Sequence, residues 1–395
     1  MLALPGRKHR MALEPPPNAA ADRDSRLAAM ALAAALPCDV VLYLLLPMYG
    51  PAFGVTLAEA GILLAANRLI RIAGYGWVAR FYARHGDRLT CTLAVLAAVA
   101  CAIGCATLSG FWALLPLRLL WGLSFAALNL ATQVLATSVA QGAAARSGRS
   151  RAFIALGPVA ALPAAALLSE AVGPRWIFAA LALLALGGLL AARRLPERPH
   201  PAMAERRRLG RPNALDAWSF LEGFTLDGLF VIGLSFLGQE LLPTGAVVAA
   251  GVLLALRYGA EILLSPLGGR MAERWGAEAM LVAMSLLTAV ALAGFGAGWL
   301  WSCAAAIVVL RALQLPLLPP IVARRHPGPD RVRALAARSV WRDIGAGLGP
   351  MAAGLLLPVL PAAWLYGLAA ALLATAALAC GSSFKAAAGT GQAGQ

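Results

Sequence analysis

Twelve long apolar stretches recur along the 395-residue chain, and no other feature limits its fold as strongly. A helix that crosses a bilayer needs about 20 apolar residues. Charged residues make up only 13% of the chain, whereas soluble domains carry about 25%. A transmembrane β-barrel is excluded because its strands alternate apolar and polar residues. The sequence therefore predicts an all-α integral membrane protein with spans near 27–49, 57–82, 89–108, 111–141, 152–170, 175–193, 215–241, 245–269, 279–298, 300–322, 334–358 and 362–381.

A polar segment separates the first six stretches from the last six. It reads RRLPERPHPAMAERRRLGRPN and contains four prolines and a dense run of arginine, which is typical of a solvated linker. We therefore predict a cytoplasmic N-terminal tail (1–26), a six-helix bundle (27–193), a cytoplasmic linker (194–214), a second six-helix bundle (215–381) and a cytoplasmic C-terminal tail (382–395).

The basic residues are distributed unevenly between the two sides of the predicted membrane. Of 33 lysines and arginines, 25 fall in the tails and loops of one side, seven fall inside spans, and Arg175 alone falls in a loop of the other side. This bias predicts that both termini are cytoplasmic. Nucleic-acid binding is not favoured, because the arginines are spread over short loops. The alanine-rich composition with only two lysines is typical of a high-GC bacterium, so we expect an inner-membrane protein.

An internal repeat relates the two halves of the chain. The loop after span two reads ARFYARHGDRL and the loop after span eight reads GRMAERWGAEA, so that Gly86 corresponds to Gly276 at a shift of 190 residues. Gly157-Pro158 in span five corresponds to Gly349-Pro350 in span eleven at a shift of 192. Two independent features thus agree on a shift near half the chain length, which indicates a duplicated six-helix unit of the kind found in transporters.

The loop motifs resemble those of the major facilitator superfamily. Gly269-x-x-x-Glu273-Arg274-x-Gly276 is similar to the signature of that family after span eight. The first-half copy keeps Arg84, Gly86 and Arg88, but Ala79 and Ala83 replace its glycine and acid. The resemblance implies that these loops gate the cytoplasmic side. The alternative is that their charges only anchor the helix ends.

Motifs within the spans extend the resemblance. Arg118-x-x-x-Gly122 is similar to the span-four arginine motif of antiporters in the family. A helix-packing motif of glycine and proline comprises Gly157, Pro158, Gly345, Gly349, Pro350 and Gly354, although span five keeps only its first two members. The resemblance implies a central cavity lined by helices 1, 4, 7 and 10 and flanked by 2, 5, 8 and 11, while 3, 6, 9 and 12 face outward.

The ionisable residues inside spans fall on that same set of cavity and flanking helices. Such residues are costly in a membrane and mark functional sites. Asp39 and Asp227 are the deepest acids and are our candidates for proton coupling, because a desolvated carboxylate can bind and release a proton as access alternates. The alternative is that each forms a permanent ion pair with an arginine.

Seven arginines against five acids within the spans leave an excess of two positive charges, which favours acidic substrates. Arg118 and Arg311 occupy corresponding places and are expected to hold an anionic group or to pair with Asp39 or Asp227. Arg71 corresponds to Glu261 in the repeat, which suggests a pair between the halves that forms in one conformation and separates in another. The predicted cavity residues are Arg71, Arg118, Asn129, Gln133, Arg257, Glu261, Arg311, Gln314 and Asp343, of which the three amides could instead join neighbouring helices.

We therefore expect a secondary active transporter that moves a small organic solute by alternating access. The span-four motif favours proton-coupled export of an anionic or amphipathic compound, such as a metabolite, drug or siderophore. A proton-driven importer is the alternative, followed by a non-transporting membrane protein of the same fold. The chain has no nucleotide-binding G-x-x-x-x-G-K-[ST] loop, and its four histidines lie in different segments, so we predict no enzyme activity, cofactor or metal. The expected partners are the lipid bilayer, the substrate and protons, and the expected state is a monomer.

Overall fold

The computed structural model describes residues 17–197, 199, 212–241, 246–328 and 330–392, and these residues form helices without any strand. The prediction of an all-α fold is confirmed. The first part of the predicted N-terminal tail and most of the predicted linker 194–214 lie outside the described residues. Helix α1 begins at Pro17 and the last helix continues to Gln392, so both reach into the predicted tails.

The first half of the chain forms six long helices. Gly86 has a φ of 77° and divides one continuous helical segment, Leu57–Thr107, into two antiparallel helices. Glycine adopts this left-handed conformation without the steric cost of a side chain. The helices of the first half are α1 (Pro17–Met48), α2 (57–85), α3 (87–107), α4 (Phe111–Ala136), α5 (Ala143–Val172) and α6 (Pro174–Ala192), with a short 3₁₀ helix, Gly50–Phe53, after α1.

The second half repeats this arrangement with two irregular helices. The first, α7, contains a π-helical segment, and the fourth, α10, is broken at residues 315–317. The helices are α7 (Ala214–Glu222, Gly223–Leu229 and Phe230–Leu241), α8 (Ala246–Trp275), α9 (Ala277–Gly296), α10 (Leu300–Gln314 and Leu318–Arg325), α11 (Asp330–Leu356) and α12 (Ala362–Gln392).

The described helices agree with the predicted count of twelve. Nine described segments are long and apolar enough to cross a membrane, and one of them is the segment that Gly86 divides. Helices α8 and α11 contain 30 and 27 residues and carry buried charges. The loops α2–α3, α4–α5, α8–α9 and α10–α11 lie at one end of the bundle, which we call the basic end.

Glycines of the predicted packing motif bring pairs of helices into close contact. A Cβ added to Gly157 would lie 2.1 Å from the carbonyl oxygen of Ala33, so α1 and α5 approach to backbone contact. A Cβ on Gly349 would lie 2.3 Å from the carbonyl oxygen of Phe224 in the π-helical part of α7. Gly345 packs on α7 in the same way. Gly354 differs from the prediction, because a Cβ there would meet no atom within 4 Å.

Candidate functional site

A central cavity of about 640 Å³ lies between the two halves of the chain. Its lining residues come from α1, α2, α4, α5, α7, α8, α10 and α11, and among the described residues none comes from α3, α6, α9 or α12. This is the helix arrangement that the resemblance implied. The cavity extends to Pro47 and Met48 in the last turn of α1, at the end opposite to the basic end.

In the first half, Asp39 on α1 and Arg118 on α4 form a buried ion pair. An Nη atom of Arg118 lies 2.6 Å from Oδ1 of Asp39, and Nε of Arg118 donates to the carbonyl oxygen of Leu63 at 3.1 Å. Asn67 on α2 donates its side-chain amide to Asp39 at 3.2 Å. Asp39 and Arg118 therefore form an ion pair with each other in this conformation. This is the alternative role that the sequence left open for each of them.

In the second half, Asp227 accepts from three arginines. Its Oδ1 lies 2.7 Å from Nη2 of Arg257 and also accepts from Arg311, while its Oδ2 lies 2.5 Å from Nη2 of Arg342. The same arginines bind two further carboxylates, since Arg342 pairs with Glu222 at 2.8 Å and Arg311 pairs with Glu261 at 3.2 Å. Three guanidinium groups and three carboxylates therefore form a neutral cluster, which we call the α7 cluster.

Two contacts join the halves near the middle of α2 and α11. Nη2 of Arg71 on α2 lies 3.1 Å from Oδ1 of Asp343 on α11, and Arg68 donates to the backbone carbonyl of Ala346. Arg71 also stacks over the ring of Phe125 at 4.6 Å. The suggested pair between Arg71 and Glu261 is not formed in this conformation, in which Arg71 pairs with Asp343 and Glu261 belongs to the α7 cluster; its formation in another conformation stays a prediction.

The predicted polar residues divide into two groups. Asn129 and Gln133 on α4 line the cavity. Gln314 also borders the cavity, but its amide donates to Oγ of Ser285 on α9 at 2.6 Å, and the indole of Trp218 donates to the same hydroxyl at 2.9 Å. Gln314 therefore joins α10 to α9, as the alternative interpretation of the amides proposed.

The halves are in contact at the basic end. Oε1 of Glu273 on α8 accepts from the backbone N–H groups of Ala144 and Ala145 at 2.9 and 3.3 Å, at the start of α5. A carboxylate at a helix N-terminus is stabilised by the partial positive charge there. Arg331 at the start of α11 donates to the carbonyl oxygen of Thr137 at 2.8 Å. These contacts close the cavity on this side in the described conformation.

The other residues of the predicted gating loops differ in their surroundings. Gly269 approaches α5 closely, since a Cβ there would lie 2.4 Å from the carbonyl oxygen of Ala144. Gly276 has a φ of 86° and begins α9. Arg88 donates to the carbonyl oxygen of Leu195 at 2.7 Å within the first half, while Arg84 and Arg274 are exposed. Gating itself stays a prediction.

Sequence reasoning missed Arg151 and Asp216. The predicted span five begins at residue 152, so Arg151 falls in the loop after span four in the sequence-based topology. The structure instead starts α5 at Ala143, so that Arg151 lies two turns inside the helix and lines the cavity. Asp216 in the first turn of α7 pairs with Arg338 at 2.8 Å. Arg151 lies within two helical turns of Gly157-Pro158 in the sequence. This spacing was the signal that could have placed Arg151 inside span five.

Comparisons with known proteins agree with this architecture. The family model of the major facilitator superfamily matches residues 27–244 and 219–386. The crystal structure of the human organic anion transporter MFSD10 (TETRAN) has a similar fold, with a TM-score of 0.75 at 17% sequence identity, covering 93% of this chain and 100% of that chain. No curated protein matches the chain in sequence. The chain therefore belongs to the major facilitator superfamily and is a membrane transporter of that family.

Proposed function

We propose that the chain exports a small organic anion by alternating access, coupled to proton entry. The observation that carries the substrate class is the charge balance of the cavity. The lining residues and their direct ion-pair partners comprise eight guanidinium groups and six carboxylates. A net charge of two positive elementary charges in a low-dielectric cavity attracts an anion and disfavours a cation.

The pairing pattern locates this excess on two residues. Each of six arginines, namely Arg71, Arg118, Arg257, Arg311, Arg338 and Arg342, has a carboxylate within 4.0 Å. Arg68 donates to a backbone carbonyl, and Arg151 forms no ion pair among the described residues. The human protein of similar fold is an organic anion transporter, which agrees with this substrate class, although 17% identity establishes only the fold.

Of the two acids predicted to couple protons, Asp39 fits the role better. Asp39 has one arginine partner, Arg118, and one amide partner, Asn67. Protonation of Asp39 would free a single guanidinium. Protonation of Asp227 would instead leave Arg257, Arg311 and Arg342 facing one another without their shared anion, which is costly in a buried site. We therefore assign proton coupling to Asp39 and a structural role to Asp227.

The proposed orientation of the transporter is supported by the charge bias of the loops. The positive-inside rule favours a cytoplasmic basic end, and we propose that the membrane is a bacterial inner membrane. In that orientation, the contacts of Glu273 and Arg331 close the cytoplasmic side, and the cavity extends towards the outside at Met48. This is the conformation in which an exporter releases its substrate and takes up a proton. We further propose the division at residues 194–214 and a monomeric state.

The proposal is tested with everted membrane vesicles that contain the protein and generate an acidic interior. Uptake is measured for a panel of carboxylic, sulfonic and phosphonic acids, each beside its neutral amide. Gradient-driven uptake of at least one acid, with little uptake of its amide, supports the proposal. Equal uptake of acids and amides contradicts the substrate class. Uptake only in right-side-out vesicles with an acidic exterior would indicate the alternative, a proton-driven importer.

A further inference from the structure

Arg151 is a cavity arginine with free hydrogen-bond donors. It lies eight residues after the first residue of α5, which corresponds to about 12 Å along the helix. Its side chain is half-buried and lines the cavity. Within the described part of the chain, its guanidinium has neither an ion pair nor a hydrogen bond. Its charged neighbours Arg342, Glu261, Arg311 and Glu222 act on it only at longer range.

The internal repeat relates Arg151 to an ion-paired position in the other half of the chain. At the shift of 192 residues that relates Gly157 to Gly349, Arg151 on α5 corresponds to Asp343 on α11. At the shift of 190, Glu261 on α8 corresponds to Arg71 on α2. The ion pair of Arg71 with Asp343 therefore has an equivalent, with exchanged charges, in Arg151 and Glu261. The first pair is formed at 3.1 Å, and the second is not.

The helices that carry Arg151 and Glu261 are in close contact. A Cβ on Gly148 of α5 would lie 2.3 Å from the carbonyl oxygen of Ser265 on α8. Arg151 lies one turn from Gly148, and Glu261 lies one turn from Ser265, both in the direction away from the basic end. The two side chains are thus at the same level on facing helices, while Glu261 pairs with other arginines.

Glu261 is held by its own half. Its Oε1 lies 3.2 Å from Nη1 of Arg311 and 3.8 Å from Nε of Arg257. Because the α7 cluster is neutral without Arg151, it does not offset the charge of this guanidinium. Arg68, the other arginine without a carboxylate, already donates to Ala346. Arg151 is therefore the cavity guanidinium best able to accept an external anion.

We propose that Arg151 binds the acidic group of the transported substrate. A planar guanidinium offers two parallel N–H donors to a carboxylate, sulfonate or phosphonate, a geometry that lysine cannot copy. This inference rests on the proposed transport of organic anions. It differs from the expectation drawn from the sequence, in which Arg118 and Arg311 hold the substrate, because both of those residues are already paired with acids of their own half.

The experiment measures thermal stabilisation of the purified full chain in detergent by the same panel of acids and amides. Wild-type protein is compared with Arg151→Gln, Arg151→Lys and the matched control Arg149→Gln. Arg149 lies on the same helix but pairs with Asp22 at the surface. Loss of a hydrogen-bonded charge contact weakens binding roughly ten- to a hundredfold. We expect this loss for acids in Arg151→Gln, a smaller loss in Arg151→Lys, and none in Arg149→Gln.

The possible outcomes separate this inference from the proposed function. If wild-type protein prefers acids and Arg151→Gln keeps that preference, Arg151 is not the anchor, while anion transport stands. If wild-type protein does not distinguish any acid from its amide, the proposed function fails and this inference fails with it. Without ligand, Arg151→Gln should unfold at the wild-type temperature, because it orphans no acid. A marked loss of stability, or failure to fold, would reveal a structural partner and overturn the assignment.

Discussion

Arg71 and Asp343 join the two halves of the transporter through a single ion pair of 3.1 Å between Nη2 and Oδ1. Both side chains are about nine-tenths buried. Nε of Arg71 and Oδ2 of Asp343 have no hydrogen-bond partner among the described residues. The pair is thus a buried contact in which each residue is the other's ion-pair partner among the described residues.

We predict that breaking this pair on one side is more harmful than removing it. Asp343→Asn leaves a buried guanidinium unpaired, and Arg71→Gln leaves a buried carboxylate unpaired, at a cost of about 3–5 kcal/mol each. The double variant should recover much of that loss. Thermal unfolding of the purified proteins measures the effect. Additive losses in the double variant would show that the two residues act independently.

We predict that Asp39→Asn abolishes accumulation driven by a pH gradient. The amide cannot exchange a proton, so substrate movement is no longer linked to proton movement. Exchange of labelled for unlabelled substrate should survive, since it requires no net proton transfer. Asp22→Asn is the control, because Asp22 pairs with Arg149 outside the cavity. Wild-type accumulation by Asp39→Asn in vesicles would place the coupling site elsewhere.

We predict that Glu273→Ala favours opening at the basic end. Its carboxylate contributes about 0.3–1 kcal/mol at the N-terminus of α5 and up to ~2 kcal/mol when partly buried. Spin labels at Arg149→Cys and Arg270→Cys, on exposed positions of α5 and α8, report the separation of the halves. The population with a long label distance should rise in Glu273→Ala. Glu278→Ala is the control, because Glu278 pairs within the second half with Arg325 at 3.4 Å. Identical distance distributions for all three proteins would contradict a latch at Glu273.

We predict opposite effects of alanine at two glycines of α11. Gly349→Ala places a methyl group 2.3 Å from the carbonyl oxygen of Phe224, and such overpacking costs about 1–3 kcal/mol. Gly347→Ala meets no atom within 4 Å, so the higher helix propensity of alanine should leave stability unchanged or improve it by up to ~1 kcal/mol. Unfolding temperatures of both variants check this difference. Equal tolerance of both substitutions would contradict close packing of α7 on α11.

We predict the orientation from two reporter fusions. Gly298 lies before α10 and Gly328 lies after it, so the two points are on opposite sides of the membrane. A fusion after Gly328 should be active in the cytoplasm, and a fusion after Gly298 should be active in the periplasm. The reverse pattern would contradict the proposed topology, and the cavity would then open towards the cytoplasm.

The helical class and the family were predictable because they depend on local patterns. Apolar stretches of bilayer length, the repeat of Gly86 at Gly276 and the loop motif around Glu273 are all read from residues close together in the chain. A membrane makes such patterns decisive, since every backbone polar group in the bilayer core must be satisfied within the protein. The set of helices lining the cavity was implied by the resemblance to the family, and the ionisable residues within the spans fall on the same helices.

The partners of those residues were not predictable, because ion pairs depend on which helix faces are brought together. Arg257 and Glu261 are four residues apart on one helix and lie 3.8 Å from each other, but spacing along one helix could not reveal that three arginines converge on Asp227. The repeat related Arg71 to Glu261 and suggested that they pair with each other. In the tertiary structure, Arg71 instead pairs with Asp343 of the second half. Glu261 lies at the same level as Arg151 of the first half. The sequence alone indicated that few charges enter the membrane and that they fall on the cavity and flanking helices, because hydropathy limits their number. The packing of α5 on α8 and of α2 on α11 decided which charges neutralise one another, and it left the guanidinium of Arg151 without an ion pair among the described residues.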